Sequence, residues 1–160
     1  KCSYEQNSGR SKQTTLEVST YNMLLQKGHK DWKHLPQYFG NIDTNKGEAF
    51  VVELVRDFDG EVSKSFEYYI KKYGVDTYSK ELATYKEYFL NYSIIFNYGM
   101  MPKNILLRKN SETDFDLVLI DGLGDVSHFT LINKIKYFAS NKINRRWDKF
   151  VAKYLTKYSN

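Results

Sequence analysis

The sequence predicts an α+β fold, and three observations carry that reading. Two pairs of apolar runs are each joined through a polar turn cluster. Several longer stretches place apolar and aromatic residues at helical spacing. The two kinds of segment follow one another as helix, hairpin, helices, hairpin, helix rather than as alternating strand and helix. With 160 residues, 41% of them hydrophobic and 16% aromatic, the chain has the size of one domain and can bury a substantial core.

Lys1 to Gln13 is polar and reads as irregular. Thr14-Thr15-Leu16-Glu17 has the capping-box pattern, which predicts a helix over about Thr15 to Gln26. Past the turn at His34-Leu35-Pro36, Gln37 to Ile42 and Ala49 to Val55 read as strands joined by the turn residues Asp43 to Gly47. The second strand contains FVVELV, apolar almost throughout, and is expected to be buried on both faces. RDFDGEVSK bends at Gly60. SFEYYIKKYG and TYSKELATYKEYFLNYSII are helical by pattern, the latter with Leu82, Tyr85, Phe89 and Tyr92 in register. ILLR and LVLID form a strand pair around the polar tip Lys109 to Asp114. Leu131 to Tyr158 is helical, with Trp147, Phe150, Val151, Tyr154 and Leu155 on one face and Arg145, Arg146, Lys149, Lys153 and Lys157 around it.

Composition excludes several classes. No apolar run approaches the roughly 20 residues of a membrane span. KCSYEQNSGR lacks the layout of a signal peptide, so a soluble, cytoplasmic protein is expected. The single Cys2 rules out an internal disulfide and a cysteine-rich zinc site. His29, His34 and His128 have no mutual spacing suited to a metal or a nucleophile relay. The 14 tyrosines and 10 phenylalanines fall at helix-face spacing, which points to core packing rather than base stacking. A net charge of +5 suits an anionic partner: nucleotide, nucleic acid, phospholipid headgroup or acidic protein.

The chemistry-bearing pattern lies in NYGMMPKNILL, Asn97 to Leu107. Phosphoryl transfer from a nucleotide needs oxygen ligands for magnesium, a cation on the phosphates and a residue that orients the nucleophile. A kinase catalytic loop puts an Asp five residues before a metal-binding Asn, follows the Asn with a short strand, and reaches a second metal-binding Asp after a hairpin. Here Asn104 precedes Ile105-Leu106-Leu107, and the hairpin returns through Leu117 to Ile120 to Asp121-Gly122. Asn104 and Asp121 are then expected side by side on adjoining strand ends, able to share magnesium. The position five before Asn104 is Gly99, which has no side chain to accept a proton.

Upstream, Lys1 and Glu17 have the spacing of a phosphate-contacting lysine and the helix glutamate that anchors it. FVVELV takes the place of the last small-lobe strand, with Glu53 and Val55 at the nucleotide site and Arg56 to Gly60 as the hinge that meets adenine. Glu17 has a competing reading as the last residue of the capping box. Asp125 is the one carboxylate close behind Asp121 that could stand in for the missing base, or it is simply solvated.

On these residues the sequence resembles the PhoP regulatory network YrbL family of small bacterial proteins with a protein-kinase-like fold. The match is carried by KDW and LPQYFG within Lys30 to Gly40, FVVELVRDFDG at Phe50 to Gly60, MPKNILL at Met101 to Leu107, IDGLGD at Ile120 to Asp125 and the aromatic, basic stretch Lys136 to Val151. The resemblance implies a two-lobed fold, N-terminally truncated so that the glycine-rich phosphate loop is missing. Residues 1–55 would be the remnant of the small lobe, 56–60 the hinge and 61–160 a helical lobe. It further implies binding of ATP and magnesium with weak or no phosphotransferase activity, since such members tend to lack the catalytic-loop Asp. Phe is absent after Asp121 and no Ala-Pro-Glu follows, which puts a peptide-docking floor in doubt. The substrate would then be a protein, or a small molecule, sugar or envelope lipid taken by an active atypical kinase. A third reading is a regulatory module whose basic tail meets a protein, nucleic acid or membrane, against the plainer one of a helix docked on its own domain.

Overall fold

A computed structural model describes residues 8–45, 47–97, 99–125 and 136–159. The elements run α1 (Ser8–Gln26), β1 (Tyr38–Thr44), β2 (Gly47–Val52), α2 (Phe66–Tyr73), α3 (Ser79–Tyr92), β3 (Ile105–Lys109), β4 (Phe115–Leu119) and α4 (Lys136–Phe150). The α+β expectation is borne out: β1 pairs with β2 and β3 with β4, each as an antiparallel two-stranded sheet, and helices supply the rest.

The helix at the start begins earlier than expected. Residues 8–13, read as irregular, are helical, and α1 runs straight through Thr14. The capping box therefore does not form, and Glu17 lies at the middle of the helix. The buried face is Glu17, Thr20, Tyr21 and Leu24, a spacing of three, one and three that keeps one side of a 3.6-residue turn inward. α1 ends where Gly28 adopts φ 69°, with its N–H bonded to the Leu25 carbonyl and that of His29 to Leu24.

The FVVELV strand is shorter and less covered than expected. β2 stops at Val52, Val51 and Val52 are half-buried, and Leu54 is exposed. Hydropathy alone assigns such a run to a central strand. β2 has one neighbour among the described residues, and so keeps one open side. Beyond it, Arg56 and Val62 form a bridge around the turn at Gly60, where φ is 87°.

The core gathers tyrosine and phenylalanine from the helices: Tyr21, Tyr69, Tyr78, Tyr85, Tyr88, Phe66 and Phe89 are all buried. Of the face expected on α3, however, only Tyr85 and Phe89 are buried, Leu82 is half-buried and Tyr92 is exposed, with Tyr88 turned inward in its place. Trp147, Phe150 and Leu155 join them. The tail is not one α-helix to Tyr158: after Phe150 it relaxes into a single π-helical turn, Val151–Leu155, and a 3₁₀ turn, Thr156–Tyr158. Its expected start at Leu131 lies outside the described residues, as do His128 and Lys1. No helix among the described residues is long and apolar enough to cross a membrane.

Candidate functional site

A cleft of about 350 Å³ opens between the β1–β2 hairpin and the β3–β4 hairpin. It brings together Glu17 from α1, Glu53 and Val55 from the segment after β2, Leu106 from β3 and Ile120 beyond β4. Three of the residues assigned to a nucleotide on sequence alone thus share one cavity. Tyr21, Phe50 and Leu123 complete its apolar walls. Those three were not expected there, because aromatic and aliphatic residues at core spacing carry no signal that separates a cavity wall from packed interior.

The cleft is acidic. Burial first, then the carboxylates of Glu17 and Glu53, push the Tyr21 hydroxyl well above its ordinary pKa, and among the described residues no lysine or arginine lines the cavity. Glu53 accepts from the Gln37 N–H at 3.2 Å and lies 3.7 Å from Arg108. Arg108 also reaches Asp116 and the Lys33 carbonyl, so one guanidinium links the edge of the cleft to β4. Asp116 is buried. Burial would raise its pKa, but hydrogen bonds from Asn110, Lys33 and Arg108 outweigh that and hold it below the ordinary value.

At the inner end of the cleft, Glu17 Oε1 accepts a hydrogen bond from the Gly122 N–H at 3.1 Å. This explains a buried carboxylate better than any cap. Gly122 belongs to a short antiparallel pairing: Asn97 N–H bonds to its carbonyl at 2.8 Å, Phe96 bridges Leu123, and Gly124 N–H bonds to Ile95. The segment around Asp121 is therefore fixed on one side by the loop and on the other by α1.

Asn104 and Asp121 are placed as expected relative to the backbone. The Ile120 N–H donates to the Asn104 carbonyl at 3.0 Å, which sets Asn104 abreast of Ile120 and one residue from Asp121. Asp121 is half-buried. The Asn104 amide donates to the Gly99 carbonyl at 3.1 Å, leaving its oxygen as the acceptor. Amide oxygen and carboxylate are the hard donors magnesium takes, with phosphate and water completing its shell. No group of three His, Cys, Asp or Glu suited to a metal occurs among the described residues.

Gly99 is occupied territory. Asn97 Oδ1 accepts from the Gly99 N–H at 2.6 Å, and a Cβ on Gly99 would lie 2.7 Å from that same oxygen. The carboxamide of Asn97 fills the space a side chain at 99 would use. A sequence comparison of loop spacings cannot see this, because the substituting group comes from two residues earlier.

Asp125 is not a solvated carboxylate. It is bonded by Lys142 at 2.8 Å and by Arg146. Arg146, expected on the basic rim of the tail, is buried and also donates to the Phe96 carbonyl. The reason is charge pairing: a guanidinium can be buried when a carboxylate and a carbonyl accept its N–H hydrogen bonds.

The arrangement defines a class: a small α+β domain in which two hairpins and an α-helix wall a cleft that holds Glu17 and Glu53 among apolar residues. The chain belongs to the family of the PhoP regulatory network protein YrbL, whose family model matches residues 1–155. It is similar to "Uncharacterized protein YrbL" of Escherichia coli (strain K12) and of Shigella flexneri. Each is 27% identical over 152 residues, covering 93% of this chain and 72% of the relative.

Proposed function

We propose that the protein is a kinase-like, two-lobed nucleotide-binding domain in which the cleft takes the base and Asn104 and Asp121 take magnesium. The observation that carries this reading is the convergence of Glu17, Glu53 and Val55 on one 350 Å³ cavity, whose lining residue Ile120 immediately precedes Asp121 in the chain. The volume suits a small ligand, and the apolar walls suit a flat heterocycle. The acidity is informative as well: bare phosphates are repelled by Glu17 and Glu53, whereas phosphates that arrive with a divalent cation are not. Magnesium, when bound, screens the phosphate charge. The chain's own part is to wall the base with Phe50, Leu106 and Ile120, and to fix the turn after Asp121 through Glu17 and Asn97.

Phosphotransfer is weak or absent in this reading. No carboxylate projects from position 99, and Asn97, which occupies that space, can orient a hydroxyl but cannot take its proton. Loss of a general base costs a factor of about 10²–10⁴. Asp125 is an unsuitable substitute because Lys142 and Arg146 hold its oxygens.

The test is thermal stability in ATP with and without magnesium. A ligand at 100 times its Kd stabilises by about 2.7 kcal/mol, enough to raise Tm by several degrees. Stabilisation that needs both components and disappears in Asp121→Ala supports the reading. No shift at millimolar ATP and magnesium overturns it.

A further inference from the structure

A second cavity, of about 430 Å³, lies between the Phe96–Met100 loop and the end of α4. Its chemistry is the reverse of the first. Arg146, Lys149 and Lys153 line it together with Asn97 and Tyr154, and among the described residues no acidic side chain does. Phe96, Met100 and Phe150 form its apolar floor, each almost wholly buried. The cations are placed by helix geometry, because positions 146, 149, 150 and 153 follow one face at intervals of three and four. The π-helical turn Val151–Leu155 continues that wall, contributing Ala152, Lys153 and Tyr154. Such turns are rare and tend to occur at functional positions.

We propose that this cavity binds a small phosphomonoester. Arg146 is held by Asp125, which compensates its charge, and by the Phe96 carbonyl, so it fixes the wall while the charge at the mouth comes from Lys149 and Lys153. Lys149 and Lys153 are exposed on flexible stems and bring compact point charges to a dianion from the solvent side. A phosphomonoester carries close to two negative charges at neutral pH. The apolar floor accommodates the body of the ligand, and Asn97 and Tyr154 offer hydrogen bonds to its hydroxyls. Among the described residues the two cavities share no lining residue, so the proposal does not rest on nucleotide binding in the acidic cleft, although Asn97 also fixes the turn after Asp121.

Calorimetric titration of the whole chain with glucose 6-phosphate, with glucose as the neutral control, tests it. Saturable one-to-one binding is expected for the phosphate ester and none for glucose. K149A/K153A should weaken binding by about tenfold or more, while K27A/K80A, which removes two exposed lysines elsewhere, should leave it unchanged. Ala152 is exposed on the same wall, so A152W should block the cavity without disturbing the core. Vesicles containing phosphatidic acid separate the two sources of the same chemistry. Binding to vesicles without binding to glucose 6-phosphate would overturn the small-ligand proposal in favour of a lipid headgroup. Equal weakening in the two lysine pairs would reduce it to net charge. ATP with magnesium, titrated into the same variants, reads the other cleft and should be unaffected.

Discussion

Glu17 in the first helix and Gly122 beyond the last strand are joined by a hydrogen bond of 3.1 Å, across 105 residues of sequence. Both partners are buried, so the N–H has no water to replace a lost acceptor. Glu17→Gln keeps an oxygen in place and should cost little. Glu17→Ala should cost about 1–3 kcal/mol, read as a lower denaturant midpoint at unchanged slope. Equal stability of the two variants would show that the bond contributes nothing.

The same contact region makes Gly124 intolerant of a side chain. Its φ is 90°, and a Cβ there would lie 2.6 Å from Thr20 Oγ1 and 2.8 Å from the Leu16 carbonyl. Gly124→Ala must both strain the backbone and push α1 away, for a loss of about 3 kcal/mol or more. Gly60, also at positive φ but with open space around it, should lose only the backbone part on the same substitution.

Restoring an aspartate at position 99 should not by itself restore a catalytic loop. Gly99→Asp puts its Cβ against Asn97 Oδ1, the end of a rotatable side chain, so relief costs the Asn97–Gly99 hydrogen bond, about 0.5–1.5 kcal/mol. Asn97→Ala combined with Gly99→Asp removes the obstacle, so the pair should be less destabilised than the sum of the two single changes. If ATP turnover, measured as ADP release, rises in the double variant and not in Gly99→Asp, the space taken by Asn97 is what keeps the loop without a base.

His34 should make stability pH-dependent. Its Nδ1–H donates to the Leu117 carbonyl at 2.7 Å, Nε2 is buried with no partner, and the Tyr85 and Tyr88 rings pack edge-on against it. Burial lowers its pKa, outweighing the Leu117 bond and the nearby Asp116 and Asp31, with Lys33 acting in the same sense as burial. The unfolded chain, with an ordinary value of about 6.5, then binds more protons than the folded chain below that pH. Stability is complete above about pH 6.5 and falls as pH drops below it, by at most about 1.4 kcal/mol per pH unit. His34→Gln should flatten this slope in urea titrations between pH 7 and 5.

Asp116 acts in a lower window. Its depressed pKa means that the stability it supplies is present above the ordinary aspartate value of about 3.9 and is lost as pH falls through the folded value. Asp116→Asn removes one of the two carboxylates paired with Arg108, leaving Glu53 at 3.7 Å, and should cost about 1–3 kcal/mol at neutral pH, with a correspondingly shallower acid limb.

Much of this architecture is written locally. Periodicity placed the helices, the turn residues placed both hairpins, and the spacing from Asn104 to Asp121 placed those two residues at adjoining ends of one hairpin, because strand pairing and helix faces are short-range consequences of side-chain pattern. The tertiary structure alone decided three things. Glu17 became the acceptor for Gly122 rather than a cap, since α1 begins earlier and turns that carboxylate inward. Asn97 took the space of a side chain at 99, and Arg146 left the surface to meet Asp125. In each case the deciding force is the cost of burying a polar group without a partner, and the partner is supplied by a segment that no local pattern connects to it.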